Sequence, residues 1–104
     1  MNIAEASELL MSGAKGVSTW NQLRSSRQIH AMDIVFDFNP NFDKPIDLRG
    51  VDLGGCCLKG SNLSEADLTG AHLYQTDLEN INMSRTIFTG AHLVEANLSG
   101  TTLD

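Results

Sequence analysis

The sequence predicts an all-β solenoid, a chain wound into a square coil, and three observations carry that prediction. Leu48, Leu53, Leu58, Leu63, Leu68, Leu73, Leu78, Met83, Phe88, Leu93, Leu98 and Leu103 recur at every fifth position without a gap. Two places before each stands a small or β-branched residue, from Ile46, Val51 and Cys56 through Ala66 and Ala71 to Ala96 and Thr101. Two places after it stands glycine in many units, as at Gly50, Gly55, Gly60, Gly70, Gly90 and Gly100. A helix needs apolar spacings of three and four, and a flat strand needs strict alternation, so a strict five fits neither. It fits a chain that turns a corner every five residues, its large and small apolar side chains facing inward. Glycine suits the bend because it tolerates positive φ, and the Asp, Asn or His before many centres can bond nearby backbone.

Four such faces close a turn of 20 residues, and stacked turns pair their backbones about 4.8 Å apart. The twelve units of residues 46–104 then make three coils, a stack about 14 Å tall at that spacing. Units such as Glu65-Ala66-Asp67-Leu68-Thr69, Gly90-Ala91-His92-Leu93-Val94 and Glu95-Ala96-Asn97-Leu98-Ser99 resemble the A-(D/N)-L-x-x motif of the pentapeptide-repeat proteins. That resemblance implies a right-handed quadrilateral β-helix over residues 46–104. Met83 and Phe88 in place of the central Leu, and Ile87 in place of the polar residue before it, depart from the motif.

Ahead of the repeats, residues 1–31 are expected to form an N-terminal α-helical cap. Residues 3–12 read as a helix with Ile3, Ala6, Leu9 and Leu10 on one face, broken by Gly13 and Gly16. Ser18 is placed as the cap of a second helix running from Thr19 to about Gln28 and carrying Trp20, Leu23 and Arg24. Leu9-Leu10, Gly16, Trp20-Asn21 and Arg24 are similar to a leader that often precedes pentapeptide repeats. The role this implies for Leu9, Leu10, Trp20 and Leu23 is a hydrophobic lid over open strand edges. Residues 32–45 are expected to add a capping strand and turn. Met32, Ile34, Phe36 and Phe38 alternate with polar or smaller neighbours, and Asn39-Pro40-Asn41 and Pro45 punctuate the approach to the repeats.

At 104 residues the chain is one domain. Its net charge is −6, and the acidity belongs to residues 46–104, where eight acids face three bases. Strong acidity argues against direct nucleic-acid binding or an anionic membrane surface. No apolar run approaches the ~20 residues of a membrane span, and the first residues lack the order of a secretory signal, so a cytoplasmic location is expected. Cys56 points inward and Cys57 outward as free thiols, since a bridge between neighbours is strained.

Residues 20 apart stack, so the outer surface reads as columns. Asp52, His72 and His92 form one, beside Gly54, Tyr74 and Val94. This wall of Asp52, His72, Tyr74 and His92 is the candidate partner contact. Two His above an Asp suit zinc or a pH response, but no fourth protein ligand is evident, so no metal or cofactor is assigned. Lys59 with Glu79 and Glu65 with Arg85 are expected ion pairs, and Asp47 with Asp67 a mild repulsion. No Ser-His-Asp or Cys-His constellation, GxxxxGK[ST], GxGxxG or CxxC is present, and a filled, flat-sided prism has no active-site pocket.

A non-catalytic protein-interaction or scaffold module, with an unknown protein partner, is therefore the favoured expectation. The resemblance supplies one alternative, a duplex-DNA mimic that inhibits or protects a type II topoisomerase, which three coils suit poorly. The stacked His72 and His92 supply another, a metal- or pH-responsive binding protein. The last coil, with Phe88, Leu93, Leu98 and Leu103 at its rim, is expected to associate as a homodimer.

Overall fold

A computed structural model describes residues 3–26, 46–59 and 61–103. The expected strand and turn of residues 32–45 lie outside the described residues. From residue 46 onward the backbone pairs with itself at a spacing of 20. Parallel bridges join Asp47 to Asp67 and Asp67 to Ile87, Asp52 to His72 and His72 to His92, Cys57 to Asp77 and Asp77 to Asn97, and Asn62 to Asn82 and Asn82 to Thr102. These are four columns, one per side of a square. Each side contributes a single bridged residue, because two of every five residues are spent on the corner.

The corner has one conformation throughout. Every described residue two places after a centre, from Gly50 to Gly100, has φ between 56° and 74°. The chain reverses there through a four-residue turn, closed by bonds such as Val51 N–H to the Leu48 carbonyl at 3.1 Å and Ala66 N–H to the Leu63 carbonyl at 3.0 Å. Positive φ at the third residue is the signature of a type II turn. Five corners are not glycine: Glu65, Gln75, Asn80, Arg85 and Glu95. Left-handed backbone costs an L-residue roughly 1–2 kcal/mol. At Glu65, Gln75 and Asn80 the ladder offsets that strain, because the residue's own N–H joins the level above, to Ser84 at 2.8 Å, Val94 at 2.9 Å and Ser99 at 2.8 Å respectively.

Inside the square the centres from Leu48 to Met83 are buried, with Val51, Cys56, Ala66, Ala71 and Ile81 filling the space between them. Each fully buried aliphatic side chain contributes about 1.5–3 kcal/mol. Phe88, Leu93 and Ala96 are only partly covered, while Met83 is as buried as the leucines it replaces. Threonine enters the small inward position because its hydroxyl finds a carbonyl one level below. Thr76 donates to Leu53 at 2.9 Å, Thr86 to Leu63 at 2.7 Å and Thr101 to Leu78 at 2.8 Å. Outside, Asp or Asn before the centre accepts from the N–H two residues on, as Asn62 does from Ser64 and Asn82 from Ser84, both at 3.0 Å.

Helix α1 (Ile3–Leu10) and helix α2 (Ala14–Ser25) precede the coil. Three expectations need correction here. Helix α2 begins at Ala14 behind Gly13, not at Ser18, which is an exposed residue inside the helix. Gly16 does not break the helix; it is buried within it, where a Cβ would overlap the Leu9 carbonyl oxygen. Close packing of the two helices thus outweighs the propensity penalty of glycine, about 1 kcal/mol. The helix ends at Ser25, short of Gln28. Leu10 and Trp20 are fully buried and Leu9 and Leu23 partly so, all against the solenoid core; the side chains of Ile3 and Ala6 lie outside the described set.

Side chains of α2 bond the first level of the coil where a preceding level would otherwise pair. The Trp20 Nε1–H donates to the Asp52 carbonyl at 2.6 Å, and Asn21 Oδ1 accepts from the Asp52 N–H at 2.8 Å. Asn21 Nδ2 donates to the Gly50 carbonyl at 3.0 Å, and Arg24 Nη2 to the Gly54 carbonyl at 2.6 Å.

The corner argument has a clean test at Gly70, where φ is +68° and an added Cβ meets nothing within 4 Å. Gly70→Ala should lower stability by about 1–2 kcal/mol through backbone strain alone. Urea denaturation would read this as a lower midpoint at unchanged slope.

Candidate partner-contact wall

The wall follows from the alternation of side chains. With the centre residue turned inward, the residues on either side of it turn out, which places Asp52, His72 and His92 in one column and Gly54, Tyr74 and Val94 beside it. The backbone of His72 is pinned to the level below through both its polar groups, its N–H bonding the Val51 carbonyl at 2.8 Å and its carbonyl accepting from the Leu53 N–H at 2.9 Å.

On this frame the three rings gather. His72 and His92 stack at 5.1 Å between centroids and 9° between planes. Tyr74 leans on both, 5.9 Å from His72 and 5.6 Å from His92. Tyr74 is 41% exposed and Val94 above it 62%. At the adjoining corner Gln75 Nε2 donates to Glu95 at 2.8 Å. The wall is therefore a patch of aromatic and apolar surface on a stiff backbone. The two imidazole planes run parallel and do not converge on a point. Among the described residues no group of three His, Cys, Asp or Glu is placed to hold a metal ion.

Asp52 closes the lower end of the column. Its Oδ1 accepts from the Gly54 N–H at 3.1 Å and lies 3.6 Å from Arg24 Nη2. Here the structure differs from a flat-sided prism, because α2 lies beside the wall and leaves clefts along the seam. One of about 280 Å³ is bordered by Asn21 and Ser25 of α2 and by Gly50, Asp52, His72 and Tyr74 of the coil. The wall itself follows from the column spacing, but Asn21 and Ser25 do not. Their one sequence signal is the (i, i+4) spacing that sets them on one face of a helix.

Three of the remaining charged groupings are locally balanced. Lys59 lies 3.6 Å from Glu79 and Arg85 lies 3.5 Å from Glu65. Arg49 bonds Asp47 at 2.9 Å and reaches Asp67 at 4.0 Å, so a shared cation relieves the expected Asp47–Asp67 repulsion. The Arg49 hydrogen bond also lowers the Asp47 pKa. Both cysteines are free, Cys56 buried and Cys57 half-buried. Burial pushes the Cys56 thiol up to about 11, against the pull of Arg24, whose Nη1 sits 3.3 Å from Sγ.

Four columns of single bridges, left-handed corners and a leucine-filled interior define a square β-solenoid. The family model described as pentapeptide repeats matches residues 46–85 and 66–104. The chain belongs to the pentapeptide-repeat family, whose members fold as right-handed quadrilateral β-helices and are generally not enzymes. Among solved structures it is similar to the pentapeptide repeat protein Rfr23 from the cyanobacterium Cyanothece 51142. Identity is 32% and the TM-score 0.57, over 69% of this chain and 44% of that one. This chain thus spans less than half the length of that protein. A second similar structure is alr5209, a pentapeptide repeat protein from Nostoc Pcc 7120. It is 24% identical with a TM-score of 0.33, over 85% of this chain and 75% of that one. Comparison with curated proteins gave no match.

The cysteines yield a pH prediction. The folded thiol of Cys56 ionises near 11 and the unfolded one near 9.0. The stability it contributes is intact below 9 and is lost as pH rises through 11. On the order of 2 kcal/mol should disappear across that window. Cys56→Ala, which places there the residue found at Ala66 and Ala71, should flatten this part of the stability–pH curve.

Proposed function

We propose that the chain is a non-catalytic protein-interaction or scaffold module of the cytoplasm. In this reading it is a solenoid of three coils, with α1 and α2 as the N-terminal cap and the wall of Asp52, His72, Tyr74 and His92 as the contact surface. The observation that carries it is the ring cluster of His72, Tyr74 and His92, with centroids within 5.9 Å of one another. Aromatic side chains on a rigid support lose little entropy on binding, and tyrosine is enriched where interfaces concentrate their energy. A duplex mimic would need continuous columns of unpaired acids. The described columns instead interleave Asp47, Glu65, Asp67 and Glu79 with Arg49, Lys59 and Arg85.

The test begins with capture from a native extract by the wild-type chain and by a His72→Ala/Tyr74→Ala/His92→Ala variant. Proteins retained only by the wild type are then purified and their affinities measured. A loss of about tenfold or more in the variant is expected of a patch that dominates the interface. Equal affinity for both chains would refute the wall as the contact surface.

A second reading concerns the far rim. Leu98 is 37% and Leu103 57% exposed, and Ile87 and Val94 also stand in solvent. We propose that a second copy of the chain covers this rim in a two-fold dimer. Sedimentation equilibrium should show a concentration-dependent dimer that Leu103→Lys reduces to monomer. A monomer at all concentrations would overturn it.

A further inference from the structure

Resting on the wall reading, we propose that the cleft between α2 and the wall receives an arginine side chain of the protein partner. The cleft is framed by Asn21, Ser25, Gly50, Asp52, His72 and Tyr74. Two of the polar side chains at this seam are already engaged. The side-chain amide of Asn21 is spent on both sides, Nδ2 on the Gly50 carbonyl and Oδ1 on the Asp52 N–H. Arg24 beside it is also spent, on the Gly54 carbonyl and the Cys56 sulfur. Also bordering the opening are the Asp52 carboxylate, which only accepts, and the Ser25 and Tyr74 hydroxyls, which can accept as well as donate.

Charge leans the same way. Arg24 and Asp52 form a pair, but the Arg24 side chain is 13% exposed and that of Asp52 40%, so the carboxylate is the member presented to solvent. The whole chain carries −6. A guanidinium is the complement of such a place. It has five donors and no acceptor, and its plane stacks on aromatic faces, here those of Tyr74 and His72. A cleft of about 280 Å³ holds one such side chain and falls just below the ~300–1,000 Å³ of drug-sized ligand sites.

The test uses the full chain and a minimal probe, Nα-acetyl-arginine methylamide, with its citrulline counterpart as the uncharged isostere. Proton–nitrogen correlation spectra are followed while each is titrated into the millimolar range. The arginine probe should give saturable shifts at the amides of Ser25, Asp52, His72 and Tyr74, and the citrulline probe none. Asp52→Asn keeps the Oδ1 acceptor for the Gly54 N–H while removing the charge. It should weaken arginine binding about tenfold, as loss of a charge-assisted hydrogen bond does. Equal shifts from both probes, or no saturable shift from arginine, overturn the inference. If the arginine probe is silent while the wall variant still loses its partner, the wall reading stands and the arginine assignment alone fails.

Discussion

The left-handed corner is the constraint on which the rest of this molecule depends. Once in every five residues the backbone must enter a region that only glycine occupies without strain, and five side-chain-bearing residues occupy it as well. What makes that tolerable is non-local. The described corner residues from Gly50 to Asn80 donate their N–H to the level above, so the strain of one turn is compensated by the presence of the next. A corner of this kind has little reason to persist in an isolated pentapeptide. The solenoid is thus cooperative along its axis in the way repeat arrays generally are, and its ends are where that cooperativity must be replaced by something else.

At the first level the replacement comes from side chains. Trp20, Asn21 and Arg24 offer to the edge at Asp52 and Gly54 the donors and acceptor that another turn of backbone would have offered. The same helix adds relief to an otherwise regular side of the square. Edge satisfaction and the cleft beside the wall are therefore two results of one docking event, and the residues that stabilise the end also shape the site.

The coil was legible in the sequence because its signal is periodic and its contacts are fixed by counting. Residue 72 lies above residue 52 whatever the side chains are, so the Asp52–His72–His92 column could be written down from spacing alone. The parallel stacking of the two imidazoles could not, because ring orientation depends on neighbours such as Tyr74 that only the folded wall brings near. Nor could the start of α2. Gly13 and Gly16 look alike in sequence, yet one precedes the helix at positive φ and the other is buried inside it against Leu9. Asn21 and Ser25 carry no periodic mark that ties them to a column, and the coil partners of Asn21 lie about thirty residues away.

The 20-residue bridge spacing also restricts how such a chain can change its length. One added pentapeptide between Cys57 and His72 keeps every side chain correctly inward or outward, so the interior tolerates it. It also rotates everything beyond it by a quarter turn, moving His72 from above Asp52 to above Cys57. Only a whole circuit leaves the columns in place. Insertions and deletions that the core would accept can therefore dismantle the surface, and the spacing of repeats becomes a record of which side of the molecule has been in use.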